Sequence, residues 1–151
     1  MVEVNTRIFG KIGIEEDKII RLEHGILGFP DLKDFTLIYD VEKGNDSGIK
    51  WFQSIQEPGF ALPVMNPELV KPGYSPCFAE EYLAPLGNLD ENSTLILVTV
   101  TVPKDITKTT VNLRAPIIIN TETRKAVQLI CEDESLSIKY AIYDEIMAKQ
   151  H

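Results

Sequence analysis

Cysteine and histidine are nearly missing: the 151-residue chain has two of each. Cys77 and Cys131 lie far apart, in no metal-binding or redox spacing, so neither a disulfide framework nor a zinc site is expected. His24 precedes Gly25 at an expected turn and His151 is the last residue. A catalytic histidine needs a positioned nucleophile and an orienting carboxylate, and no serine here sits in a Gly-x-Ser-x-Gly elbow. Gly-x-Gly-x-x-Gly and P-loop patterns are absent; Gly25-Ile26-Leu27-Gly28 has two glycines but neither the lysine nor the helix start that phosphate binding requires. The expectation is no metal, no cofactor and no small-molecule substrate. Long hydrophobic runs are missing too. The longest, Leu95 to Val102, already contains Thr99 and Thr101, well short of the ~20 residues that span a bilayer, so no membrane association is expected. Met1 to Asn5 shows no basic or apolar leader region, and two isolated cysteines suit a reducing compartment, so a cytoplasmic location is expected.

Positive charge is in deficit: 15 Lys and Arg stand against 23 Asp and Glu, a net charge of −8. That field repels phosphate backbones, which disfavours direct nucleic-acid binding and favours encounters with basic proteins. The stretch from Lys104 to Lys125 is the one locally basic candidate, and with no aromatic residue to stack on bases it reads as a solvated β face. Carboxylates cluster at Glu15-Glu16-Asp17, Asp31 with Asp34, Glu80-Glu81 and Glu132-Asp133-Glu134. They read as solvated surface; a small β-barrel hydrolase or isomerase would instead hold two of them in one cleft, ~5–10 Å apart. Asp40 to Asp46 has oxygen ligands at offsets that do not match a calcium loop and reads as a polar hairpin loop.

What the chain does have is period-2 alternation. Strands are expected at Val2–Ile8, Ile19–Leu22, Phe35–Val41, Ile49–Ile55, Phe60–Met65, Leu95–Val102, Thr109–Leu113, Pro116–Asn120, Lys125–Cys131 and Leu136–Ile142, with Gly10 and Gly13 as punctuation. Pro63 cannot donate a ladder hydrogen bond, which puts its strand at an edge or a bulge. Leu95 to Val102 is apolar on both faces at its start and half polar at its end, the pattern of a central strand emerging toward solvent. Helix is scarce. One is expected from Ser75 as cap through Pro76 to Gly87, with Phe78, Tyr82, Leu83 and Leu86 on one face, and a second short one over Asp144 to Lys149. The fold class is therefore mostly β: one domain over residues 1–151, a small barrel-like antiparallel or mixed sheet with one or two short helices.

Unusual residues gather at the strand ends: Gly25-Ile26-Leu27-Gly28-Phe29-Pro30, Asn66-Pro67, Asn112-Leu113-Arg114-Ala115-Pro116 and Asn120-Thr121. The plain reading is turns, since Asn tolerates left-handed backbone and Pro fixes φ; the functional one is a rigid rim presented to a partner. Together with Phe52-Gln53-Ser54 and Ala61-Leu62-Pro63-Val64-Met65-Asn66-Pro67, these segments resemble the FliW family of bacterial flagellar assembly factors. Gly25, Ile26, Gly28 and Phe29 match its Gly-Ile-Pro-Gly-Phe turn, with Leu27 in place of proline. Asn112, Leu113, Ala115, Pro116, Ile117 and Asn120, followed by Gln128, match its most specific stretch; Leu62 replaces a phenylalanine. The resemblance covers roughly positions 3 to 131. It implies a non-enzymatic β-barrel regulator that binds flagellin and the RNA-binding translational repressor CsrA, relieving repression when flagellin leaves the cell; a flagellin chaperone without a translational role is the alternative within the family. The expected protein-binding residues are Phe29, Asn66, Pro67, Glu80, Glu81, Asn112, Arg114 and Asn120. Apolar residues around the Pro63 strand are the expected lining of a groove for an amphipathic helix.

Overall fold

A computed structural model describes residues 2–38, 49–76 and 78–145. The strands are β1 (Val2–Thr6), β2 (Gly10–Ile14), β3 (Ile20–Leu22), β4 (Asp34–Ile38), β5 (Lys50–Ser54), β6 (Ala61–Met65), β7 (Thr94–Thr101), β8 (Thr110–Val111), β9 (Ile117–Asn120), β10 (Lys125–Gln128) and β11 (Tyr140–Ala141), and the helix is α1 (Glu80–Leu83). Seven strands close on themselves in the order β7-β6-β5-β4-β3-β10-β9, with β9 returning to β7. All these pairings are antiparallel except β3 with β10. The fold is thus the mostly β, mixed-sheet barrel expected, and closure leaves its strands no open edge.

The alternation in the sequence decides which side chains fill it. Ile20, Leu22, Phe35, Phe52, Val64, Leu97, Ile117, Ile119 and Ala126 form the barrel core with Ile26, and the Phe35 and Phe52 rings stack at 4.5 Å between centroids. β7 is apolar on both faces because it serves two cores. Leu95 and Leu97 face the barrel, whereas Ile96, Val98 and Val100 face a second cluster with Met65, Val70, Tyr74, Val111, Leu113 and Ile142. Its first half pairs with β9 and its last two residues with β8, on one edge. Between the two ladders the five residues Asn112 to Pro116 lie opposite only Val98 and Thr99, so the motif is a large bulge. Asn112 Oδ1 holds it by accepting from the Arg114 and Ala115 amides (3.0 and 3.2 Å). The Tyr74 hydroxyl donates to the Leu113 carbonyl inside the second core.

Several boundaries differ from the expectation. Gly10 to Ile14 is a strand, and the first hairpin, β1 with β2, turns at residues 7–9, where the Thr6 hydroxyl accepts from the Phe9 amide and donates to the Gly10 carbonyl. A period-2 reading through Ile8 missed this because Gly10 and Gly13 carry no side chain to show the alternation. β6 is not an edge strand. It pairs with β5 throughout Ala61–Val64, but with β7 only at Val64 and Met65, so the β7 ladder begins immediately after the residue that has no N–H to give. α1 starts at Glu80, with Ala79 as an uncapped N-cap, rather than after Ser75; Glu80 and Glu81 in its first turn complement the helix dipole. Pro85 stops the α-helix, since its ring clashes with the carbonyl four residues back, and Ala84–Leu86 tightens into a 3-10 turn ending at Gly87 (φ +89). The expected strand over 136–142 shrinks to Tyr140–Ala141 and that over 125–131 to Lys125–Gln128. The part of the expected strand that runs on to Val41, the loop expected at 40–46, Cys77 and the part of the expected C-terminal helix beyond residue 145 lie outside the described residues.

Polar residues buried in the barrel wall are fully employed. Gln53 is 1% exposed; its Nε2 donates to the carbonyls of Ser54, Pro58 and Phe60 (3.0, 3.0 and 3.3 Å) and its Oε1 accepts from the Arg7 amide (2.9 Å), tying the first hairpin to β5. Replacing it by leucine leaves the Arg7 amide and the Pro58 carbonyl without this partner, and urea denaturation should read a loss of roughly 2–3 kcal/mol. Tyr74→Phe leaves the Leu113 carbonyl unpaired and should cost about 1–2 kcal/mol at neutral pH. Burial pushes the Tyr74 phenol well above its ordinary value. The folded state therefore keeps this proton while the unfolded chain loses it above pH ~10. The stability of the parent chain should fall faster than that of Tyr74→Phe from that pH upward, so that the two melting temperatures converge above pH ~10.

Candidate apolar groove

The turn at residues 25–30 is built for one shape. The Ile26 carbonyl accepts from the Phe29 amide (2.8 Å), and Gly28 at φ +87 takes the left-handed position of a type II turn. Gly25, at φ +70, has no room for a side chain: a Cβ there would lie 2.5 Å from the Pro30 carbonyl oxygen. The turn lifts Leu27 and Phe29 outward, 44% and 49% exposed, while Ile26 points into the core. Phe29 rests edge-on against the ring of Phe60, at 4.8 Å.

Gln128, at the end of β10, joins this turn to the bulge. Its Oε1 accepts from the Leu27 amide (2.9 Å) and its Nε2 donates to the Ala115 carbonyl (3.1 Å). From there the chain runs along the bulge, with Leu129 and Cys131 amides donating to the carbonyls of Pro116 and Arg114. Arg114 returns the contact, its Nε donating to the Cys131 carbonyl (3.1 Å). Between this segment and the start of α1 lies an open groove of about 680 Å³, lined by Leu27, Phe78, Ala79, Tyr82 and Ile130 over Leu129 and Cys131, with Gln128, Ser75, Glu132 and Asp133 as its polar parts. Tyr82 is 56% and Ile130 62% exposed. At the acidic end the hydroxyl and amide of Ser135 both donate to Asp133 Oδ1 (2.6 and 2.9 Å), and with the Arg114 charge they hold the Asp133 carboxyl below its ordinary value.

The sequence-derived contact residues divide by burial. Asn120 is 1% exposed; its Nδ2 donates to the carbonyls of Leu86 and Asn88 (2.8 and 3.0 Å) and its Oδ1 accepts from the Glu122 and Thr123 amides (2.9 and 3.2 Å), so every polar atom of the amide is used in joining β9, β10 and the end of the helical segment. Asn66 accepts from the Glu68 amide (3.0 Å) at the head of a 3-10 turn in which Pro67 is buried. Asn112 organises the bulge, and Arg114 is half-buried against Cys131. Phe29, Glu80 and Glu81 are exposed, Phe29 beside the groove's turn and the two glutamates on α1. Leu62 packs against the barrel core and Pro63 is half-buried. The groove residues Leu27, Tyr82 and Ile130 were not among the contact residues expected from the sequence, which placed Tyr82 on the apolar face of a longer helix; in the structure Tyr82 is exposed. Leu27 had one signal, as the apolar departure from the proline of the resembled turn.

His24 is exposed, and the carboxylates of Glu15, Glu16, Asp17, Asp31 and Glu134 are all at the surface. Among the described residues no group of three or more His, Cys, Asp or Glu side chains is placed to hold a metal ion, and no helix is long and apolar enough to cross a membrane.

Comparison with known proteins agrees with the residues that shaped these turns. The family model described as FliW protein matches residues 3–142. The flagellar assembly factor FliW of Lachnoclostridium phytofermentans is 44% identical over 142 residues, covering 94% of this chain and 91% of its own. That of Lachnospira eligens is 43% identical over 151 residues, covering 99% and 100%. A crystal structure of the flagellar assembly factor FliW superposes with a TM-score of 0.85 at 28% identity, covering 94% of this chain and 97% of that one. The chain belongs to the FliW family of flagellar assembly factors.

Proposed function

We propose that this protein serves flagellar assembly as a cytoplasmic, non-enzymatic binding protein that holds flagellin and, when flagellin is exported, engages a CsrA-type repressor and relieves its block on flagellin translation. The observation that carries the binding reading is the groove: Leu27, Tyr82 and Ile130 stand substantially exposed around one open depression whose floor is fixed by hydrogen bonds from Gln128 and Arg114. Exposed apolar side chains gathered at one depression and edged by polar groups support a protein contact. The net charge of −8 supports rapid, salt-sensitive encounter with a basic RNA-binding protein. Competition between the two partners needs no conformational change, because each partner's free concentration then controls the other complex.

Hydrogen bonds from Ser135 and the charge of Arg114 lower the Asp133 carboxyl, which does not suit it to the part of a general acid. A flagellin chaperone without a translational role shares the groove and differs only in the second partner.

Isothermal titration against flagellin and the CsrA-type protein of the same cell, at two salt concentrations, tests the proposal. Saturable and mutually exclusive binding to both, weakened by salt for the repressor, is the expected result. Binding to flagellin alone reduces the function to that of a chaperone, and binding to neither returns the surface carboxylates to consideration.

A further inference from the structure

The first hairpin stands outside the barrel. β1 and β2 pair with each other from Val2 opposite Ile14 to Thr6 opposite Gly10 and, among the described residues, with no barrel strand. A two-stranded hairpin has little stability of its own in water. Gly10 and Gly13 weaken β2 further, since glycine loses the most backbone freedom on ordering. The attachment to the barrel is slight. Val4, 2% exposed, is the buried residue among those described in the hairpin, whereas Glu3, Asn5, Gly10, Lys11 and Gly13 are exposed. Among the described residues one hydrogen bond crosses from hairpin to barrel, from the Arg7 amide to Gln53 Oε1 (2.9 Å). The ion pair of Lys11 with Glu3 (3.6 Å) is exposed and joins the two strands only to each other.

Neither end of this attachment needs the barrel to open. When Arg7 leaves, Gln53 keeps its three Nε2 bonds to the carbonyls of Ser54, Pro58 and Phe60, so the wall stays pinned and Oε1 turns to water. Residues 15–19 join the hairpin to β3 through one 3-10 turn, Glu16–Lys18, that has no side-chain cap and buries no side chain. The Thr36 hydroxyl donates to the Lys18 carbonyl (3.2 Å) and fixes the far end of that turn to β4. Gly13, Ile14 and Glu15 form part of the wall of an open depression of about 480 Å³ at one end of the barrel, whose other lining includes Ile20, Leu37, Leu95 and Ile119.

We infer that the β1–β2 hairpin is a strap that leaves the barrel as one unit, swinging on residues 15–19, while the seven-stranded barrel stays closed. Its departure takes Gly13 and Ile14 off the depression and widens it over the apolar side chains of Ile20, Leu37, Leu95 and Ile119. The opening has its own free energy, below that of global unfolding.

Native-state hydrogen exchange of the full chain, followed by NMR at urea concentrations below the unfolding transition, tests the strap. The amides of the β1–β2 ladder and of Arg7 should exchange at least about a hundredfold faster than the slowest amides of β5 and β7, and with a far shallower urea dependence, because a departing hairpin exposes little surface. The substitution Ile117→Val, at a fully buried barrel position, acts equally on the closed and the strap-open states but not on the unfolded chain. It should speed the slowest barrel amides roughly two- to tenfold and leave the hairpin amides within about twofold of the parent. Hairpin and barrel amides that share one rate and one urea slope in the parent would overturn the strap, and so would hairpin amides that accelerate with the barrel in Ile117→Val. An Arg7 amide as protected as the barrel while the ladder exchanges quickly would also overturn it, since the hairpin would then fray in place without leaving.

Discussion

The architecture depends on one strand having to satisfy two cores. β7 gives alternate side chains to the barrel and to the cluster outside it, and it exchanges β9 for β8 along a single edge. A regular sheet cannot make that exchange, because the departing strand needs extra backbone to leave the barrel curvature. The five residues from Asn112 to Pro116 supply it, with Asn112 satisfying the amides that the bulge frees, Pro116 needing no partner for an N–H, and Tyr74 anchoring the apex. Once that kink exists, the Ala115 carbonyl is free to take Gln128, and Gln128 in turn takes the Leu27 amide. The exposed turn, the groove floor and the barrel seam are consequently one hydrogen-bonded assembly.

This assembly changes what the motif residues signify. Side chains that distinguish the chain as a FliW protein are spent largely on its own backbone. Gln53 and Asn120 are buried and saturated, and Asn66 and Asn112 each cap a turn. The groove proposed for partners is lined by apolar Leu27, Phe78, Tyr82 and Ile130 beside the polar Ser75, Gln128, Glu132 and Asp133. In a small barrel this is a division of labour: specific hydrogen bonds position backbone, and the backbone in turn positions the groove.

Much of the fold was legible in the sequence because barrel strands bury one face and so alternate. β3, β5, β6 and β9 fall close to the places where apolar periodicity put them, and the two-faced pattern at Leu95 to Val102 marked β7 as central. β2 was hidden by its glycines, and the extent of α1 by a proline that fits the first turn of one helix and, further on at Pro85, ends another. The groove was not legible. Whether Tyr82 is buried or exposed depends on where α1 begins, a matter of one turn, and Ile130 sits in a stretch that periodicity reads as strand and that instead leaves the ladder after Gln128. Burial at such positions is decided by tertiary packing, which no local pattern carries.

The bond between Leu27 and Gln128 spans 101 positions of the chain, and β3 meets β10 in parallel across a similar separation. Barrel closure is therefore a late event in the life of the polypeptide. While the ribosome is still making the first two thirds, β3 has no β10 to pair with, and the glycine turn has no glutamine to fix it. Contacts of such long range also slow closure after release. The glycine turn and the groove it borders therefore reach their final form only when nearly all of the chain has been made.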